Sequence, residues 1–151
     1  MDHQLVEMGN LFYDFFSTLR TLILAHLKVN VDYLEKTGGE LVSKLDLAIE
    51  ERICEFLEKR FPNCSIVSEE KGGLWPPAAD KGCFVVDPLD GTHNFLMRLP
   101  IFGVMLSCVK DGDIQFSVIW LPMQDEYDNG FYLAMRGKGF WNYAPHYRRR
   151  L

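Results

Sequence analysis

The sequence predicts an α+β layered sandwich, with helices on one side of a largely antiparallel sheet. Two amphipathic helical stripes near the N-terminus, a later series of short apolar runs, and Gly-containing turns between those runs predict it. The 151 residues are 48% hydrophobic, enough apolar content to fill one core. No internal repeat or low-complexity segment interrupts the pattern.

In chain order, Leu5, Met8, Phe12, Phe15, Leu19, Leu22 and His26 recur at three- and four-residue steps, flanked by Leu11, Phe16, Ile23 and Leu27. This is a wide core-facing stripe of a first helix, which the pattern carries through the apolar region Leu19 to Val31. His26 on that stripe reads as structural, because a boundary histidine is commoner than a ligand. Gly38-Gly39 breaks the helix, and Leu41-Val42 reads as a short extended approach. Ser43 stands three residues before Asp46, a capping-box spacing, and Leu45, Ile49, Ile53, Phe56 and Leu57 give a second helix its apolar face. Pro62-Asn63 ends it, and Ser65–Ser68 reads as a strand. Lys71–Lys81, with Gly72-Gly73 and Pro76-Pro77, reads as a loop. Phe84–Val86 is a buried strand that Pro88 stops. Ile101–Val109 and Ile114–Leu121 flank a hairpin marked by Asp111-Gly112, and Phe131–Met135 follows Asp128-Asn129-Gly130 as a further strand.

A net charge of −5 excludes nucleic acid as the main partner, since phosphate-backbone binding needs a basic face. The single dense basic run, Arg148-Arg149-Arg150, reads as a solvated tail. Cys54, Cys64, Cys83 and Cys108 form no C-x-x-C pair, which predicts reduced thiols and a cytoplasmic location. Arg20, His26 and Lys28 interrupt the most apolar region, which falls short of the roughly 20 apolar residues of a spanning helix. No membrane partner is expected.

Chemistry is concentrated in Phe84-Val85-Val86-Asp87-Pro88-Leu89-Asp90-Gly91-Thr92-His93-Asn94-Phe95. An apolar strand runs directly into two carboxylates, a glycine and a hydroxyl. Carboxylates at a strand's C-terminal end face a crevice, and hard Mg²⁺ takes oxygen ligands from one or two carboxylates plus substrate phosphate. Asp87, Asp90 and the Leu89 carbonyl can supply such oxygens, while Gly91 lets backbone approach a ligand and the Gly91–Thr92 amides can face an anion. The competing reading is an Asp-Pro and Asp-Gly turn with solvated acids.

Asp87-Pro-Leu-Asp-Gly-Thr-His-Asn-Phe95 resembles the first signature of the inositol monophosphatase family, Mg²⁺-dependent and lithium-sensitive phosphatases related to fructose-1,6-bisphosphatase and the bisphosphate nucleotidases. Ser65-Ile66-Val67-Ser68-Glu69-Glu70 resembles the strand that ends in a metal-binding Glu, and Leu41-Val42-Ser43-Lys44-Leu45-Asp46 resembles the segment that carries a water-activating Asp. The resemblance implies Glu69, Asp87 and the Leu89 carbonyl as ligands of a first metal, with Asp87 and Asp90 shared toward a second. It implies Asp46 and Thr92 as the pair that orients and deprotonates water, with Gly91 and Thr92 against the substrate phosphate. Glu70 and Lys36 read as solvated neighbours, and no metal role is expected for His93.

The fold implied is the first part of the sugar-phosphatase αβαβα sandwich, with residues 1–142 the N-terminal portion of such a domain and 143–151 an unmatched tail. Complete members continue for roughly another hundred residues, a stretch that carries a Trp-Asp signature whose Asp closes the second metal site. The function implied is Mg²⁺-dependent hydrolysis of inositol monophosphate or a similar sugar phosphate, with a nucleotide 3′,5′-bisphosphate as the alternative substrate. A non-catalytic metal-binding module, or one that forms a homodimer through exposed apolar surface, is the alternative for a chain of this length.

Overall fold

A computed structural model describes residues 2–29, 32–35, 41–73, 82–124 and 130–151. Lys36, Gly38-Gly39, most of the Lys71–Lys81 loop and Asp128-Asn129 lie outside them.

Helix α1 spans His3–His26, with Asp2 as its N-cap accepting from the Leu5 amide at 3.2 Å. Its buried face is Leu5, Gly9, Phe12, Phe16, Leu19 and Ile23, the centre of the expected stripe. The helix stops at His26, earlier than the apolar run through Val31 suggested, and Leu27 caps it. His26 is satisfied locally, its Nδ1 lying 2.8 Å from the Leu22 carbonyl. A short antiparallel pair, β1 (Tyr33–Glu35) and β2 (Leu41–Ser43), leads into α2 (Lys44–Arg60). The expected capping box is present, since Ser43 caps the helix and the Asp46 side chain reaches back to the Ser43 backbone.

The rest is a seven-stranded sheet in sequence order: β3 (Ser65–Ser68), β4 (Cys83–Asp90), β5 (Gly103–Lys110), β6 (Asp113–Trp120), β7 (Phe131–Met135), β8 (Gly139–Ala144) and β9 (Tyr147–Arg150). Only β3 and β4 are parallel; every later pair is antiparallel. Helix α3 (Thr92–Leu96) follows β4. The β5–β6 hairpin turns on Asp111 and Gly112, both at positive φ (55° and 79°), as the Asp-Gly signal predicts. Pro88 does not end β4. The strand continues to Asp90 with a register shift against β5 between Asp87 and Asp90, so the residue without an N–H falls in the irregular step.

Helices α1 and α2 cover one face of the sheet. Their apolar residues form one cluster with Phe84, Val86, Val104, Leu106, Phe116, Val118, Phe131 and Leu133. The alternate residues Val85, Met105, Ser107, Ser117 and Ile119 are exposed or half-buried. The expected α+β arrangement therefore holds.

The basic run at the C-terminus is not a solvated tail. It forms edge strand β9, where the Arg148 guanidinium lies 5.1 Å from the centre of the Tyr143 ring and that of Arg150 lies 5.9 Å from Trp141. Aromatic faces attract guanidinium groups, and charge on an edge strand discourages pairing with another sheet. Tyr143 itself is fully buried, and its hydroxyl lies 3.0 Å from the Val6 carbonyl and 2.7 Å from Asn10 Oδ1. This locks α1 to β8 across the core. Gly9 makes the contact possible, because a Cβ there would stand 2.4 Å from Tyr143 Cζ. Alanine ordinarily stabilises a helix interior by about 1 kcal/mol over glycine. Here Gly9→Ala is expected to destabilise the fold instead, by about 1–3 kcal/mol in denaturant titration, as overpacking does; a stability gain would contradict this packing.

Candidate active site

Strands β3 and β4 run parallel with Ser68 opposite Val86, so Glu69 and Asp87 emerge side by side at the same end of the sheet. The Glu69 amide donates to the Val86 carbonyl at 3.1 Å, which fixes that register one residue past β3. The two residues line an open cavity of about 370 Å³, together with Val67, Ser68, Met105 and Ser107. The Glu69 and Asp87 carboxyl groups share a hydrogen bond. Two carboxylates can do so only if one holds a proton. Burial, the Glu69 charge and that hydrogen bond, with a further push from Asp90, raise Asp87 from an ordinary 3.8 to about 7. The Leu89 amide, donating to Asp87 Oδ1 at 3.1 Å, opposes the shift. Among the described residues, no three acidic, histidine or cysteine side chains are gathered closely enough to hold a metal ion as they stand. The donor chemistry nevertheless suits a hard divalent cation, because three carboxylates and a backbone carbonyl are all-oxygen ligands and a cation would relieve their mutual repulsion. Asp87 would have to give up its proton for it.

The second half of the site comes from α2. Asp46 is 1% exposed and has both oxygens engaged. Oδ2 accepts from the Ser43 amide at 2.9 Å and from the Ser43 hydroxyl, while Oδ1 accepts from Thr92 Oγ1 at 2.8 Å. Thr92 Oγ1 also lies 3.0 Å from the Leu89 carbonyl. The capping acid and the hydroxyl of the Asp87–Phe95 segment, 46 residues apart in sequence, thus meet directly. Gly91 makes the turn between Leu89 and Thr92 with φ 86°, and a Cβ there would stand 2.9 Å from the Ile101 carbonyl. No other residue type fits that turn without strain. His93 is exposed on α3, and Asp90, at the end of β4, is exposed as well.

Sequence reasoning missed Glu50. It is fully buried on α2, one turn after Asp46, and its Oε1 accepts from the amides of Glu70 and Lys71 at 3.2 and 2.9 Å. Glutamate is almost never fully buried unless paired. The available signal was an acid four residues after Asp46, on a helix face bordered by Leu45, Ile49 and Ile53. Glu70, expected as a solvated neighbour, is half-buried and tied through its amide to Glu50. The four cysteines are unpaired thiols, and burial pushes the Cys108 thiol up to about 11.

The sequence pattern of the inositol monophosphatase family matches residues 10–148. Nus factor SuhB of Pasteurella multocida is 36% identical over 104 residues, covering 69% of this chain and 37% of that protein. Inositol monophosphatase 1 of Xenopus laevis is 28% identical over 124 residues, covering 79% and 42%. A solved IMPase/NADP phosphatase complexed with Mg²⁺ and phosphate shares the fold, with a TM-score of 0.75 at 20% identity over 91% of this chain and 51% of that one. The chain spans about two fifths of the length of these two relatives. It belongs to the inositol monophosphatase family.

Proposed function

We propose that this site hydrolyses a phosphate monoester, with inositol monophosphate the first substrate to test and Mg²⁺ its cofactor. The observation that carries the reading is the run of contacts from Ser43 through Asp46 to Thr92 and Leu89, set beside the Glu69, Asp87 and Asp90 carboxylates. Glu69, Asp87 and the Leu89 carbonyl would hold the first Mg²⁺, and Asp87 and Asp90 would face a second. Bound there, the cation supplies Lewis-acid polarisation of the phosphate and acidifies a neighbouring water.

The chain's own groups do the remaining work. Thr92 has a single hydroxyl proton. When it is donated to Asp46 Oδ1, the Thr92 oxygen keeps lone pairs that can accept from an attacking water. Asp46 is then the proton sink, reached through Thr92. Its carboxylate cannot swing away, because Ser43 holds the other oxygen. The amides of Gly91 and Thr92 would receive phosphate oxygens, and the tight Gly91 turn, with φ 86°, supports that reading.

Purified chain with Mg²⁺ is expected to release phosphate from inositol monophosphate, with lithium inhibiting. Removal of the cation by a chelator should stop it, Thr92→Ala should lower kcat by about 10²-fold or more, and Asp90→Asn should abolish turnover. No phosphate above buffer would overturn the proposal for this chain.

A pH effect follows from Asp87. Folded, it keeps its proton up to about pH 7, whereas its ordinary value is 3.8, so the native state binds more protons between those values. The group's contribution to stability is therefore complete below about pH 3.8 and lost as pH rises through about 7. In chelator, the melting temperature of the wild type should fall relative to Asp87→Asn over that window, and Mg²⁺ at neutral pH should restore it. Parallel pH profiles for the two proteins would contradict the assignment.

A further inference from the structure

We infer that Glu50 is a positioning residue which fixes the turn that carries Glu69, so that α2 sets both the proton-accepting side and the metal-ligating side of the site. The assignment rests on the metal-dependent reading above. After β3 the chain makes a tight turn closed on itself, with the Ser68 amide donating to the Gly72 carbonyl at 3.0 Å and the Gly72 amide donating back at 2.8 Å. Three backbone amides lie inside this turn. That of Glu69 donates to Val86 of β4, and those of Glu70 and Lys71 both donate to Glu50 Oε1. The strand that bears Asp87 and the helix that bears Asp46 therefore hold the Glu69 turn between them.

The arrangement is costly, which argues that it has a use. Glu50 is 0% exposed, and its second oxygen, Oε2, has no hydrogen-bond partner among the described residues. A buried polar atom left in this way destabilises the fold. An apolar residue at position 50 would remove that penalty and continue the Ile49 and Ile53 face, but it would leave two amides of the turn without an acceptor. Asp46 and Glu50 stand one turn apart on the same helix. A rigid helix thereby fixes the distance from Thr92, held by Asp46, to Glu69, held by way of Glu50.

The test compares wild type with Glu50→Ala, Glu50→Asp and Glu50→Gln by amide hydrogen exchange and by calorimetric titration with Mg²⁺ alone. Glu50→Asp withdraws the oxygens by one methylene, and it gives the same reading if Glu50→Ala does not fold. Glu50→Gln keeps a carbonyl acceptor in place. In the first two variants, exchange at Glu70 and Lys71 is expected to speed up at least tenfold and Mg²⁺ affinity to fall at least tenfold. Glu50→Gln should restore both to within about threefold of wild type. Unchanged exchange at the two amides overturns the clamp. Faster exchange with unchanged Mg²⁺ affinity overturns the positioning role, as does a Glu50→Gln variant as impaired as Glu50→Ala. A wild-type chain that takes up no Mg²⁺ overturns the metal reading itself, and is told apart from these outcomes because it appears before any substitution is made.

Discussion

The candidate site depends on one buried carboxylate. Asp46 closes the capping box that starts α2 and also accepts the Thr92 hydroxyl from the segment after β4, so a local folding contact and a long-range contact use the two oxygens of one side chain. Removing it would leave the Ser43 amide and the Ser43 hydroxyl short of an acceptor in a dry environment, which is the costly half of the hydrogen-bond balance, and would leave Thr92 only its contact with the Leu89 carbonyl. A helix N-terminus also favours negative charge there. The fold and the proposed chemistry therefore ask the same thing of Asp46, that it be a fixed acceptor.

Around this anchor the architecture gathers acids that strand geometry alone would leave apart. Parallel pairing of β3 with β4 brings Glu69 beside Asp87, and the bulge after Asp87 carries Pro88 through the strand so that Leu89 and Asp90 face the same end. Crowding the acids raises Asp87 to about 7. The sheet, locked to α1 by Tyr143 over Gly9 and packed against α2, supplies the rigidity that keeps such repelling groups together.

Much of this was legible in the sequence because its causes are local. The capping box sits in a three-residue spacing, the Asp-Gly hairpin in two residues that tolerate positive φ, and the two helix faces in a 3.6-residue period. The acids of the Asp87–Phe95 segment were visible through their position after an apolar strand. What stayed hidden depends on partners distant in sequence. Glu50 acts on amides 20 and 21 residues away, which no periodicity reveals. The arginines of β9 looked like a tail because their aromatic platforms, Tyr143 and Trp141, come from the neighbouring strand. Pro88 misled because its usual effect, ending a ladder, is absorbed by a bulge.

The most direct measurement is a crystal structure of the chain grown with Mn²⁺, an oxygen-seeking stand-in for Mg²⁺ that can be located by its anomalous scattering. The account predicts a peak bounded by Glu69, Asp87 and the Leu89 carbonyl, with the Glu69–Asp87 hydrogen bond opened and the Asp46–Thr92 contact retained. A peak elsewhere, or none while the Glu69–Asp87 hydrogen bond persists, would contradict it.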